Sequence, residues 1–283
     1  MRRLTPYLLA LPGWMWLAIF LVVPMVAMAS VSLQTGNAYD GYAMTFSISN
    51  YGDALGRYST QLIRSLVYGA LATAAMLLIG YPVAYWIAFR GGSRKSMYLF
   101  LLLLPFFVSF VLRTISWNFL LADNGILFGT LKDWGLLPDG FHVLATTLAV
   151  VGGLTYNFLP FMILPIYVAL ERVDPRVVEA AQDLYATRAG AFRRVVLPLS
   201  LPGVFAGVLM TFVPATADPI NAQILGGTGN TMIGNNIQTE YLVNLDYPTA
   251  SALSFTLMAV LLVGIFAYAR ALGTENVLEA AAR

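Results

Sequence analysis

The chain has 283 residues, 59% of them hydrophobic and 11% charged, against roughly 25% charged in a soluble domain. Its 16 basic and 14 acidic residues leave a net charge of +2, and the mean hydropathy is +0.73. There is no cysteine, which excludes disulfides, thiolate metal sites and cysteine nucleophiles, and the single histidine, His142, excludes a histidine-rich metal centre. The chain therefore reads as a membrane protein. It has no GxGxxG, Walker A or HExxH pattern to hold a nucleotide or zinc.

A membrane-spanning helix needs about 20 apolar residues. Six segments meet that length, near 7–33, 62–89, 97–121, 143–170, 197–224 and 249–271. The first follows Arg2 and Arg3 and ends in AMAS, a sequence resembling a signal-peptide cleavage site. Its apolar run exceeds the roughly 7–15 residues of a signal-peptide core, so an uncleaved first helix is expected. The fifth carries Pro198, Pro202, Pro214 and Pro219 and is the least regular.

In a six-span arrangement, Arg2, Arg3, Arg90, Arg94, Lys95, Arg172, Arg176, Arg188, Arg193, Arg194, Arg270 and Arg283 fall on one side. Arg57, Arg64 and Lys132 fall on the other. The positive-inside rule then places both termini and the loop 171–196 in the cytoplasm. The opposite loops, near 34–61, 122–142 and 225–248, carry Asp40, Asp53, Asp123, Asp133, Asp139, Glu240 and Asp246. The expected fold is an all-α polytopic membrane protein, a single domain over 1–283 with six transmembrane helices and cytoplasmic termini.

The loop 171–196 holds the densest charge in the chain. Asp174 is suited to cap a helix and Pro175 to open it. Val178, Ala181 and Leu184 recur on one apolar face, and Glu179 and Asp183 lie four apart on another. A second short helix is expected after Thr187. Two short amphipathic helices suit a groove in another protein. The alternative is a solvated charged loop that only sets topology.

Glu179-Ala180-Ala181, followed by Val195, Leu197 and Pro198, resembles the EAA motif of permease subunits in bacterial ATP-binding-cassette importers. That motif reads E-A-A, three residues, Gly, nine residues, Ile, one residue, Leu-Pro. Here Val195 replaces the Ile, and Tyr185 replaces the Gly. If the turn requires positive φ, Tyr185 is strained by about 1–2 kcal/mol. Gly190 is the other candidate for the flexible point. Residues 112–127, 156–184, 225–237 and 246–253 are similar to the polyamine branch, the first permease subunit of spermidine/putrescine importers. Branches for opines, amino-acid derivatives, thiamine and ferric iron share parts of them.

The resemblance implies a type I importer permease fold in the bacterial plasma membrane. It implies a coupling helix through which Glu179, Ala180, Ala181, Asp183, Leu184 and Tyr185, with Leu197 and Pro198, meet an ATP-hydrolysing partner. The implied partners are a second homologous permease, two ATPase subunits, an extracytoplasmic solute-binding protein and the lipid bilayer, with no nucleic acid. The chain itself would be no enzyme and bind no cofactor; ATP and Mg would be used by the ATPase subunits. A stand-alone secondary transporter would need ion-coupling charges near the midplane or inverted repeats, and neither is visible. A membrane enzyme would need a clustered nucleophile, base or metal set, which is also missing.

A polyamine path calls for carboxylates, amide oxygens and aromatic faces, since a cation–π contact is worth roughly 0.5–2 kcal/mol. An ionisable residue inside a span is a functional candidate by default. Asp218 lies beside Pro219 with Pro214 one turn earlier, so a broken helix is expected there. The resemblance adds that an acid is common at this position. Arg113 lies in the third segment. The two could line the path, or pair with each other as a structural ion pair. Tyr156 and Asn157 fall near the middle of the fourth segment, before Pro160 and Pro165. Trp117, beside Asn118, is either an interfacial anchor or a substrate ligand. Asn221, Glu240 and Tyr241 complete the candidates. Asp123 with Asn124-Gly125 reads as a turn.

Overall fold

In hydrocarbon the backbone must satisfy its own hydrogen bonds, so apolar runs of this length become helices. The computed structural model describes residues 5–138 and 140–271; Arg2, Arg3, Asp139 and Arg283 lie outside the described residues. Helix α1 (Thr5–Leu17) continues through a π-turn at Ala18–Val22 into α2 (Val23–Ser32). A hairpin of β1 (Gln34–Asn37) and β2 (Gly41–Met44) follows, in antiparallel register with Gln34 opposite Met44. Then come α3 (Ser49–Arg90), α4 (Lys95–Leu103), α5 (Phe110–Leu121), α6 (Ile126–Asp133) and α7 (Thr147–Glu171). The second half holds α8 (Pro175–Asp183), α9 (Arg188–Ala191), α10 (Leu197–Ala217), α11 (Ile220–Leu225), α12 (Ile233–Leu242) and α13 (Tyr247–Ala271).

Among the described residues, five helical stretches are long and apolar enough to cross a membrane: Ala10–Ser32, Ser49–Arg90, Thr147–Glu171, Arg188–Ala217 and Tyr247–Arg270. A sixth is a pair, Gly92–Phe107 and Phe110–Asp133, bent by 88°. The straight third span expected over 97–121 is therefore an elbow. Its physical cause is local. Pro105 lies in a 3₁₀ turn at Leu104–Phe107, and Val108 and Ser109 turn extended, with ψ 138° and 139°. The second span, expected over 62–89, lies within a longer helix. Helix α3 begins at Ser49, well before residue 62, and its 42 residues extend about 63 Å, twice a hydrocarbon core of about 30 Å. The short hairpin is an addition to the all-α expectation.

The chain divides into two compact units. The first comprises the residues up to Thr60 with Asn236–Val260; the second comprises Gln61–Asn235 with the residues from Leu261 on. In the first, Asn50 Nδ2 donates to the carbonyls of Ser32 and Gln34 at 2.9 and 2.8 Å, fixing the turn from α2 into the hairpin. The Tyr42 hydroxyl donates to the Leu245 carbonyl. Only 6% of the Ala10–Ser32 span is buried within the chain.

In the second unit the core runs along α3 and α7, where Met76, Leu154, Met162, Ile163, Ile166 and Leu170 are fully buried. Helix α10 packs closely on α7 because Gly203 and Gly207 have no side chain. A Cβ on Gly207 would stand 2.9 Å from Met162 Sδ and 3.1 Å from the Met162 carbonyl. One on Gly203 would stand 2.5 Å from the Pro165 carbonyl. Between membrane helices, where lipid is as apolar as leucine, such small-residue contact supplies the packing.

Candidate coupling helix and translocation site

Helix α8 starts as its sequence dictates. Asp174 Oδ1 accepts from Arg176 N at 2.9 Å, and Pro175 occupies the first turn, where no amide donor is needed. The helix ends with Ala186 N donating to Ala181 O at 3.0 Å. Tyr185 makes that turn with φ +63° and is 97% exposed. It stands in the left-handed region at the place the motif reserves for glycine. Gly190 has no positive φ and does not supply the flexible point; instead its amide donates to Thr187 Oγ1 at 3.1 Å, capping α9.

Val178 and Ala181 of the expected apolar face are half-buried, and Val178 packs on the core. Leu184 is not part of that face: it is 80% exposed beside Tyr185, because the helix has already ended at Asp183. Glu179, Ala180 and Asp183 are exposed. The loop is anchored by Phe192, whose ring meets Tyr81 and Tyr85 edge-on, both at 5.8 Å. Leu197 and Pro198 open α10, directly after buried Val196. The result is an exposed charged helix with an apolar tip, fixed at its root to α3. Lys95 pairs with Glu171 at 3.5 Å at the foot of α7.

The second cluster is buried. Helix α10 ends at Ala217, Asp218 turns extended with ψ 120°, and α11 begins at Ile220. Asp218 is 6% exposed. Its Oδ1 accepts from Asn221 N at 2.7 Å and from Asn221 Nδ2 at 3.2 Å. Asn157 Nδ2 donates to Asn221 Oδ1 at 3.0 Å and to Thr114 Oγ1 at 3.1 Å. Asn157 Oδ1 is buried with no partner. Three expected residues, Asp218, Asn221 and Asn157, therefore form one network with Thr114, which sequence reasoning missed. A threonine in an apolar helix carries little signal, since it can bond back to its own backbone, as Thr114 also does to the Phe110 carbonyl at 3.1 Å.

Arg113 does not pair with Asp218. Among the described residues the ion pairs are Lys95–Glu171 and Lys132–Asp123. The Arg113 guanidinium instead lies 4.6 Å from the Phe106 ring centre and 5.7 Å from that of Phe110, and its Nε and Nη1 are buried without partners. Phe106 belongs to the 3₁₀ turn of the elbow, next to the helix α5 that carries Arg113. Trp117 packs edge-on against Tyr156 at 5.3 Å, joining α5 to α7. Asn118 donates to the Ile224 carbonyl at 2.9 Å.

Glu240 and Tyr241 belong to the first unit. Glu240 is 2% exposed and accepts from the Tyr58 hydroxyl and from Asn244 Nδ2. The Tyr241 ring lies 5.0 Å from that of Tyr247. His142 makes a local contact with the Gly140 carbonyl at 3.2 Å.

The stretch 226–235, singled out in the sequence, is held from several sides. Tyr68 Oη donates to Asn230 Oδ1 at 2.7 Å, and Asn230 Nδ2 donates to the Ala145 carbonyl at 2.7 Å. Ser65 Oγ accepts from Ile233 N at 2.7 Å, Arg64 Nη1 donates to the Thr231 carbonyl at 3.1 Å, and Asn235 Nδ2 donates to the Pro219 carbonyl at 2.5 Å. The sequence showed the Gly- and Asn-rich stretch but not its partners on α3.

The chain thus combines a buried polar break at Asp218 with an exposed charged helix, α8. The profile of the binding-protein-dependent transport system inner membrane component matches residues 76–272, and the chain belongs to that family. It is a multi-pass plasma-membrane permease of the ATP-binding-cassette importer class. It is 37% identical over 257 residues, 90% of each chain, to the spermidine/putrescine transport system permease protein PotB of Haemophilus influenzae. It is 33% identical to PotB of Escherichia coli, over 90% of this chain and 94% of that one. The inner membrane ABC transporter permease protein YdcU of Escherichia coli is 33% identical over 77% of this chain and 72% of that one. The fold matches a chain of a bacterial transporter that imports the acidic polysaccharide alginate, with TM-score 0.70, 21% identity and 96% of both chains covered. The same holds for the alginate transporter in complex with its alginate pentasaccharide-bound periplasmic protein, at TM-score 0.66 and 20% identity.

Proposed function

We propose that this chain forms half of the path by which an ATP-driven importer moves a polyamine, spermidine or putrescine, across the plasma membrane. The observation that carries the reading is the likeness to polyamine permeases over nine-tenths of the chain, 37% identical to the Haemophilus influenzae protein. The chemistry of the break supports it. Asp218 is a buried carboxylate whose bonds come from neutral Asn221, with no cation paired to it among the described residues. An isolated buried charge is costly unless a counter-ion arrives. An ammonium group is such a counter-ion, and the amides of Asn157 and Asn221 beside it offer further polar contact.

In this reading the rest of the path comes from a second homologous permease, and an extracytoplasmic binding protein delivers the substrate. Both termini and α8 face the cytoplasm, where two ATPase subunits use ATP and Mg; this chain binds neither. Closure of the ATPase dimer on ATP pushes the exposed Glu179 face of α8, and the Phe192 anchor passes the motion to α3. The path opens outward, and hydrolysis resets it.

A second reading within the same class has one observation in its favour. The unpartnered Nε and Nη1 of Arg113 suit a substrate with a carboxylate, such as an opine or amino-acid derivative. The deciding experiment is ATPase activity of the purified, lipid-embedded complex with its binding protein. Stimulation that requires polyamine supports the first reading. Stimulation by the binding protein that ignores polyamines but follows a carboxylate-bearing substrate replaces it with the second.

A further inference from the structure

A cavity of about 310 Å³ lies within the first unit, between the hairpin, the start of α3 and the end of α12. Asn37, Tyr42, Arg57, Glu240, Asn244 and Asp246 line it. Glu240 is the unusual member. It is 2% exposed and sits in the last turn of α12, at the negative end of the helix dipole, where a carboxylate is disfavoured. Its two hydrogen bonds, from the Tyr58 hydroxyl and Asn244 Nδ2, come from neutral donors. A carboxylate can accept about four. No cation pairs with it among the described residues; Arg57, which shares the cavity, lies over the Tyr58 ring at 6.0 Å instead.

Asp246 lines the cavity as well. Asp246 spends Oδ1 on capping α13 through Thr249 N, at 3.1 Å. Tyr42 gives the cavity an aromatic wall, and its ring is part of a run with Tyr247 and Tyr241, with centres 5.5 and 5.0 Å apart. Glu240 and Asp246 outnumber Arg57 in the lining, Glu240 makes no ion pair among the described residues, and Tyr42 adds an aromatic face; together they define a site for an organic cation.

We propose that this cavity binds the ammonium group of an alkylamine, with Glu240 as its counter-ion. It shares no residue with the Asp218 network. That the amine is a polyamine waiting to enter the path rests on the function proposed above; the site itself rests on the cavity. Arg57 at its wall weakens the local field and so limits how tightly the cation is held.

The test is equilibrium binding of labelled putrescine to the full complex in lipid nanodiscs, without binding protein or ATP. It is made in the Asp218→Asn background, so that the other carboxylate does not contribute. Losing a charge-assisted contact corresponds to about tenfold or more in Kd, which is the expected effect of adding Glu240→Gln. Arg57→Gln, at an exposed position that leaves the fold intact, is expected to tighten binding by about threefold. Unchanged putrescine affinity in Glu240→Gln overturns the proposal. Should that variant not fold, unchanged or weaker affinity in Arg57→Gln overturns it. A Glu240→Gln complex that keeps its amine affinity but loses affinity for the binding protein also overturns it, because a protein side chain then fills the cavity. Amine binding that follows these variants, in a transporter whose uptake ignores polyamines, retains the site and removes the proposed substrate.

Discussion

Asn157 Nδ2 donates to Asn221 Oδ1 at 3.0 Å, joining the middle of α7 to the short helix that follows the break in α10. Asn221 passes the connection on to Asp218 through its own amide groups. The break is therefore a fixed polar junction, reached from α5 through Thr114 as well.

Asp218→Asn should separate the charge from the structure. An amide oxygen can still accept from Asn221 N and cap α11, so the complex should assemble at normal levels. Uptake of a cationic substrate should fall about tenfold, the equivalent of one lost charge-assisted contact. Labelled-substrate uptake into proteoliposomes checks this; a normal rate removes Asp218 from the path.

Glu179→Lys reverses the charge on the exposed face of α8 while leaving its cap at Asp174 and its core contact at Val178 in place. The permease should therefore fold and insert, yet substrate-loaded binding protein should no longer raise ATP hydrolysis. The assay is ATPase activity of the purified complex beside a count of its subunits. Full stimulation would leave α8 without the coupling role.

Tyr185→Gly should be tolerated or slightly stabilising. Relief of about 1–2 kcal/mol at a left-handed residue is offset by about 0.5–1 kcal/mol of extra backbone freedom in the unfolded chain. Tyr185→Val should be worse than either, because a β-branched residue fits φ +63° poorly. Thermal unfolding of the three proteins in one lipid composition gives the order Gly at or above Tyr, and Tyr above Val.

Gly207→Leu should prevent proper packing of α10 on α7. The new side chain meets both Sδ and the carbonyl of Met162, and backbone cannot move aside as a side-chain tip can. Overpacking of this kind costs about 1–3 kcal/mol or more. A size-exclusion profile of the purified complex should show loss of the monodisperse species. Gly264→Leu serves as the control, since nothing lies within 4 Å of a Cβ there.

What the sequence disclosed follows the strength of each local signal. The long apolar runs and the Pro214–Pro219 interval pointed to spans and to a break at Asp218, because hydrocarbon and proline act on the chain directly. The EAA pattern located α8 and raised the question of Tyr185, which the backbone answers with a left-handed turn. The elbow at Leu104–Ser109 was hidden inside one continuous apolar run with a single proline. At the bend Arg113 meets Phe106, and the pairing with Asp218, one of the two alternatives left open by the sequence, is not formed. Thr114, Tyr68 and Ser65 were invisible as site residues because their partners are distant in the chain, and a single sequence read alone carries no sign of such pairs.

Asn230 and Asn235 each use both ends of their amides, and the stretch between them is further pinned by Ser65 and Arg64. Such a segment has no partly engaged position. Sliding it by a fraction of an ångström would break donors on one side without creating acceptors on the other. Displacing it requires several of these bonds to break together, so the segment should shift as a unit or stay in place.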